Sequence, residues 1–407
     1  MTASMIPLDH ARRRVLDSVR PLSPIELPLI EAHGCVLARD VAAEYDIPSF
    51  SSAEVDGVAV RAADVHEATA DVPASLRIVG RSVTGRPPEA TVGWGEAVRI
   101  APGAPLPAGA DTVVPLEECA VEGDTVRVSH GLPAGSHVRP AGEDVRAGEV
   151  LVPSGRRLSG PEIGILAASG QPAALTHPKV RVGVLSLGNG LVEPGQPAEF
   201  GSVRDSGSYT VFGALRDLGA VPYRMGILTG SDEELRESLL SNLVRADAFV
   251  ALAAEAEASR LVHALGTVAQ LEWLQVAIYP GMSQVLGTIE GMPFFLLSGS
   301  PVSAFVSFEM FVRPALLKMM GRHDIKRPEV MAAVDEELSA PAGITLVAPA
   351  RVVRVEGRWH AKPTGPAGPN LLAALVRANG LILVPPEQGT VPAGTPVRAQ
   401  VFRSLDR

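Results

Sequence analysis

Cysteine is almost missing from this chain. Only Cys35 and Cys119 occur in 407 residues. They lie far apart and in no metal-ligand spacing, which excludes a disulfide framework and a thiolate zinc site and fits a reducing cytoplasm. Basic charge is also short: 36 Lys and Arg face 45 Asp and Glu, for a net charge of −9, so no basic face is at hand to bind nucleic acid. Arg12, Arg13 and Arg14 form the one tight basic cluster, and it reads as the solvated face of a first helix. The nine histidines show no HxxxH or HExxH pattern and carry no metal site. Uninterrupted apolar runs are missing as well. From Leu8 to Arg20 charge alternates with Val15, Leu16 and Val19 on a helical period, which is not a signal-peptide core. The most apolar stretch, Met292 to Val312, is broken by Gly299, Pro301 and Glu309; it reads as a buried strand, turn and helix, and no membrane insertion is expected.

What is present is enough apolar residue, 46% of the chain, to fold in water, and a length that divides among several cores. After the first helix, Pro24 to Leu29 reads as a short strand whose prolines place it at a sheet edge. From Ala42 to about Arg139 strand-like runs alternate with Pro/Gly turns and show no helical period. At Lys179 the rhythm changes to strand–helix alternation. Val180–Leu185, Val221–Ile227, Ala248–Leu252, Val276–Tyr279 and Phe294–Leu297 read as strands. Ser208–Leu218, a segment capped by Ser231 and Glu234, and Val302–Met320 read as helices. That pattern predicts a largely parallel sheet. From Arg327 short strands return, with one helical stretch at Leu371–Ala378, and predict a small β-barrel or sandwich.

The α/β region holds four Gly/Pro turns where a doubly wound sheet holds its ligand: SLGNG from Ser186, RDSGSY from Arg204, YPGMS from Tyr279 and SGSPVSAF from Ser298. Glycine lets the backbone approach an anion, and a following helix N-terminus supplies N–H donors. The turns carry almost none of the lysine, arginine or carboxylate that phosphate chemistry also needs.

Several longer runs together resemble the molybdopterin molybdenumtransferase family, MoeA in bacteria and the gephyrin E domain in animals. PSFSSAEVDGVAV from Pro48 resembles P-P-F-D-N-S-A-M-D-G-Y-A-V. RIAPGAPLPAGADTVV from Arg99 resembles R-I-x-T-G-A-P-L-P-x-G-A-D-x-V-V. VRPAGEDV from Val138 and PVSAFVSFE from Pro301 are similar to its R-x-x-G-E-D-I and L-P-G-N-P-V-S-A elements. The resemblance covers nearly the whole chain. It implies a multidomain α/β plus β architecture: an elongated N-terminal region (1–41 and 140–178), a β-rich insertion (42–139), a mostly parallel molybdopterin-binding-like α/β domain (179–326) and a C-terminal β-barrel-like domain (327–407). It also implies a homodimer, and the apolar seam Leu8, Val15, Val19 is expected to be covered by the partner. The implied reaction is Mg²⁺-dependent insertion of molybdate into adenylylated molybdopterin with release of AMP.

Carried over residue by residue, the resemblance makes Asp56, Asp144 and Asp205 the catalytic carboxylates, with Asp205 a metal ligand. Gly188, Ser206, Gly281, Ser298, Gly299, Pro301 and Ser303 are substrate-binding candidates. Each aspartate also has a plain structural reading: an Asp-Gly turn for Asp56, a turn cap for Asp144, a helix N-cap for Asp205. The departures are larger. The acidic pair of S-T-G-D-E-L is Asn189 and Gly190, both lysines of K-P-G-K-P are replaced by Tyr279 and Met282, and the Thr before G-A-P-L-P is Pro102. The G-G-V-S-V-G turn is Ala253-Ala254-Glu255-Ala256-Glu257-Ala258, which predicts a helix from Ala253 to Leu265 in place of an anion nest. The expectation is a family member with an eroded site. The alternative is a gephyrin-like dimeric scaffold, as in the divisome branch of bacterial cell division, that binds a short peptide of a partner protein near the C-terminal domain.

Overall fold

The computed structural model describes residues 5–366 and 368–403. Leu8, Ala11 and Val15 recur on one face of the first helix, α1 (Leu8–Ser18), and bury there together with Val19 beyond its end. They join the same apolar cluster as the α/β strands and the helix ending at Met319. The seam expected to await a partner is therefore covered within the chain, because α1 packs on its own α/β unit rather than standing apart. Ile25–Pro28 is an edge strand, paired only with Ala173–His177, as its prolines require.

Between α1 and the α/β unit lies helix α2 (Gly160–Ala168), opened by a capping box in which Ser159 and Glu162 satisfy each other's backbone donors. Glu162 also accepts from Arg156 at 2.8 Å. The Ser159 hydroxyl and then the Arg156 guanidinium pull its carboxyl down to about 2. A carboxyl depressed on folding lends stability above its unfolded pKa and loses it as pH falls through the folded one. The denaturation midpoint should therefore drop more between pH 5 and pH 2.5 in the native chain than in Glu162→Gln; equal drops would remove this role.

The insertion is a six-stranded sheet built mainly from Gly57–Val60, Ala74–Ser82, Glu96–Ile100 and Thr112–Pro115, with Cys119–Glu122 and Thr125–Val128 at one edge. Val58, Val60, Ala97 and Val114 fill its core.

The α/β unit follows the sequence rhythm: β1 (Arg181–Leu187), α3 (Gly207–Leu218), β2 (Val221–Leu228), α4 (Asp232–Ser241), β3 (Ala248–Ala253), α5 (Glu255–Leu265), β4 (Ala269–Gln275), β5 (Ser283–Ile289) and β6 (Met292–Ser298). The sheet order is β2-β1-β3-β6-β5-β4. The first four strands are parallel, and β5 and β4 add an antiparallel edge. β3 is buried at every position, as a strand covered on both faces must be. The last helix runs from α6 (Pro301–Ser307) through a five-residue π turn, Phe308–Val312, into α7 (Arg313–Met319), with the Arg313 N–H reaching back to Phe308 C=O. Val276–Tyr279 is not a strand of this sheet. Ile278–Tyr279 pairs instead with Thr345–Leu346 of the C-terminal domain.

That domain is a closed barrel. β7 (Glu329–Val334), β8 (Thr345–Val355), β9 (Arg358–Pro363), β10 (Gly380–Val384) and β11 (Pro396–Val401) join in the ring β8-β9-β7-β11-β10-β8. A short helix, α8 (Leu372–Arg377), lies between β9 and β10. Closure removes the sheet edges.

Candidate functional site

Three loops meet at the carboxyl ends of β1, β3 and β6. The Gly299 N–H donates to Ala253 C=O at 2.8 Å, and a Cβ on Gly207 would lie 3.0 Å from Leu252 Cδ2. This is the switch region where a parallel sheet presents its ligand, but the chain itself takes up the donors there.

Asp205 precedes α3 and is only 3% exposed. Its Oδ1 accepts from the Ser208 N–H at 3.1 Å, and its Oδ2 accepts from the Ser208 hydroxyl at 2.5 Å and from Arg224 Nη2 at 3.1 Å. Arg224 is held in turn by Glu193 at 3.0 Å and lies 4.1 Å over the Tyr209 ring. Both Asp205 oxygens are thus committed to capping α3 and to the ion pair, the structural role that its position before a helix suggests. Ser206 is the N-cap residue, and its side chain makes no capping bond.

The Ala253–Ala254 segment forms no nest. Ala253 ends β3, Ala254 has φ −71° and ψ 163° as the N-cap, and α5 starts at Glu255, two residues later than the alanine run predicts. Glu255 and Glu257 stand in the first turn, where the helix dipole favours them and where they oppose any second anion. Gly188, Asn189, Glu257 and Arg260 line a cavity of about 140 Å³, small beside the ~300–1,000 Å³ of ordinary ligand pockets. Arg260 is committed to Asp232 Oδ1 at 2.7 Å and to the Gly230 carbonyl.

The turn after β6 is also used internally. Ser298 Oγ accepts from the Ser300 N–H at 3.3 Å. Pro301 has no N–H to offer, and the next donor, Val302 N–H, goes to Pro369 C=O at 3.0 Å. Gly299 is exposed and Ser298 half-buried, whereas Ser303 is buried inside α6. Gly281 sits behind that helix with φ +98°, and a Cβ there would lie 2.7 Å from Ser307 Oγ, so packing alone requires glycine. Of the two residues standing where the family pattern has lysine, Tyr279 packs on the barrel core.

Asp56 and Asp144 lie elsewhere, both exposed, at the junction of the insertion with the N-terminal region. The Asp56 C=O accepts from Leu116 N–H and the Asp144 N–H donates to Ile47 C=O; neither side chain has a hydrogen bond among the described residues. Within one chain they do not join Asp205. Among the described residues no group of three or more His, Cys, Asp or Glu could hold a metal ion, and no helix is long and apolar enough to cross a membrane.

Sequence reasoning missed Arg224, and the signal was there: a lone charge in the otherwise apolar run VPYRMGIL. It also missed Glu309, buried to 6% exposure on the π turn, where Arg327 binds it through both guanidinium ends at 2.8 and 2.9 Å. Glu309 and Arg327 line a cleft of about 980 Å³ between α3, the α6–α7 helix and the barrel, which Asp205 and Ser206 join at one end.

Two family profiles match: MoeA N-terminal region (domain I and II) over residues 6–170, and MoeA C-terminal region (domain IV) over residues 332–402. Molybdopterin molybdenumtransferase 2 of Mycobacterium tuberculosis is 34% identical over 401 residues, covering 96% of this chain and 98% of the relative. Molybdopterin molybdenumtransferase of Haemophilus influenzae is 30% identical over 409 residues, covering 98% and 100%. The crystal structure of the molybdopterin biosynthesis MoeA protein from Pyrococcus horikoshii superposes with TM-score 0.84 at 27% identity, covering 99% of this chain and all of that one.

Proposed function

The chain belongs to the molybdopterin molybdenumtransferase (MoeA) family of molybdenum cofactor biosynthesis, and on that premise we propose that it keeps the family scaffold while its strand-end site has lost metal insertion. One observation carries this reading: Asp205, the implied metal ligand, is closed into the Ser208–Arg224 network with no oxygen left over. The residues present in one chain do not fit a Mg²⁺ ion, since a hard cation needs several free oxygen donors and the acidic pair at 189–190 is absent. The molybdate and pyrophosphate charges of the implied substrates would also meet Glu255 and Glu257 where the family pattern has glycine turns. Complementation of a strain lacking its own molybdenumtransferase tests this reading; rescue by the unaltered chain would overturn it.

A second groove favours a scaffold role. It runs between α1 and the barrel, has a volume of about 360 Å³, and offers Met5, Leu8, Leu383 and Pro385 beside Arg12 and Arg398. Asp9 and Glu387 also line it and balance the two arginines, so that chemistry suits a short extended peptide with an apolar anchor. Two such grooves in a homodimer would raise avidity for a multivalent partner. We expect the chain to sediment as a dimer at micromolar concentration. A monomer alone in analytical ultracentrifugation would remove the dimer and with it the avidity argument.

A further inference from the structure

From Thr345 to Val384 the chain carries five Arg and Lys and one carboxylate, Glu356. Elsewhere acid predominates, for a net charge of −9, so this stretch of the barrel stands apart in sign. Strand alternation decides where its cations go. Ala350, Val352 and Ala361 belong to the barrel core, and successive side chains of a strand leave on opposite faces. Arg351, Val353 and Val355 of β8 and Arg358, His360 and Lys362 of β9 therefore stand on the outer face. The register sets Arg351 beside Lys362, Val353 beside His360 and Val355 beside Arg358.

Arg351, Arg358 and Lys362 are exposed, and none makes a side-chain hydrogen bond or an ion pair among the described residues. The other two cations of the stretch are taken: Arg354 Nε donates to Gly357 C=O at 3.1 Å and Arg377 Nη2 to Thr364 C=O at 2.9 Å. On the β7 side Asp335 meets His360 Nδ1 at 3.1 Å, and Glu336 and Glu337 follow it. Carboxylates thus bound the face on one flank, and the unpaired cations lie along β9 and across to β8. None of the six outward residues lines the α1–barrel groove or the 980 Å³ cleft. Docking within the chain leaves them free as well, because Val347, Leu381 and Leu383 are the barrel residues that join the apolar cluster of α1 and the α/β unit.

Outward positions of a strand repeat every second residue, ~6.6 Å apart. Arg358, His360 and Lys362 form a row of that period, and Arg351 widens it by one strand. An extended polypeptide laid along β9 presents its own alternate side chains at the same spacing. We propose that this face docks an extended acidic segment of a partner protein. Glutamates at alternate positions meet Arg358, Lys362 and Arg351, and their methylenes lie on Val353 and Val355. The inference goes beyond the lost metal insertion and depends neither on it nor on the α1–barrel groove. A nucleic acid fits less well, because the face offers no Phe, Tyr or Trp for base stacking; Trp359 turns to the barrel core.

Fluorescence anisotropy with the full chain and a fluorescein-labelled peptide of four Glu-Ser repeats tests this. The control peptide has the same composition, with the four Glu in one block and the four Ser in another. The alternating peptide should bind at least ~3-fold more tightly than the block peptide, and its affinity should fall as salt rises. Arg358→Gln combined with Lys362→Gln should weaken it ~10-fold, and Arg351→Gln alone ~3-fold. Exposed Arg86→Gln, in the insertion, should change nothing. If the double variant fails to fold, Arg351→Gln still decides. An eight-residue oligothymidylate should bind more weakly than the alternating peptide. No binding, equal affinity for the two peptides, tighter binding of the oligothymidylate, or indifference to the outer-face substitutions would each overturn the proposal.

Discussion

A strain that lacks its own molybdenumtransferase should stay without molybdoenzyme activity when supplied with this chain at normal expression. The magnitude follows from the number of parts missing. Removing a single preorganised donor from an oxyanion site costs ~10²–10³ in rate. By the family pattern that the sequence resembles, Tyr279 and Met282 stand at the two lysine positions, Asn189 and Gly190 at the acidic pair, and Ala253 and Ala254 at the glycine turn. Two such losses already imply at least ~10⁴. The α6 donor at Val302 is spent on Pro369 as well, so restoring charge alone does not restore the anion site. Tyr279→Lys and Met282→Lys with Gly190→Glu should therefore recover ligand affinity before turnover. Titration with molybdate and AMP in the presence of Mg²⁺ reads the first, and molybdoenzyme activity of the complemented strain the second. Turnover returning without any gain in affinity would contradict the order of events.

Arg224→Met should destabilise the fold by about 3–5 kcal/mol, the range found when one partner of a buried ion pair is removed. Asp205 is 3% exposed and keeps only the Ser208 contacts once the guanidinium is gone, and Glu193 loses its partner too. Asp205→Asn in the Arg224→Met background should recover part of the loss, because an amide leaves no buried charge. Urea denaturation of the four proteins closes the cycle, and additive single effects would show that the two residues do not act as a unit. The same network engages both oxygens of the residue that the family resemblance makes a metal ligand.

Much of the fold was legible because period and punctuation agreed with each other. β3 reads as an unbroken apolar run because it is buried on both faces, and Ser231 with Glu234 announces α4 by its capping box. The β4–β5 hairpin was not read. Ala269-Gln-Leu-Glu-Trp-Leu-Gln alternates apolar with polar, but the neighbouring Val276–Tyr279 offered a more apolar run, and tertiary pairing sent Ile278–Tyr279 to the barrel instead. The candidate site was half legible. Motif order shows where the turns are; it does not show that Asp205 pairs with Arg224, 19 residues later on the next strand, or that Pro369 reaches back to the start of α6. Those contacts link segments whose approach only the folded chain decides.

The π turn between α6 and α7 has a consequence for phase. Phe305, Glu309, Arg313 and Leu317 all line the large cleft, and they follow one another at every fourth residue. On an unbroken α-helix such a series winds away by about 40° per step, so the first and last members would face well apart. The wider turn at Phe308–Val312 winds the other way and brings the series back toward a single ladder. Deleting one residue there would leave both halves helical and the composition almost unchanged. It would also turn Arg313 and Leu317 by about 100° relative to Phe305, so that one wall of the cleft is dismantled by a change of count rather than of chemistry.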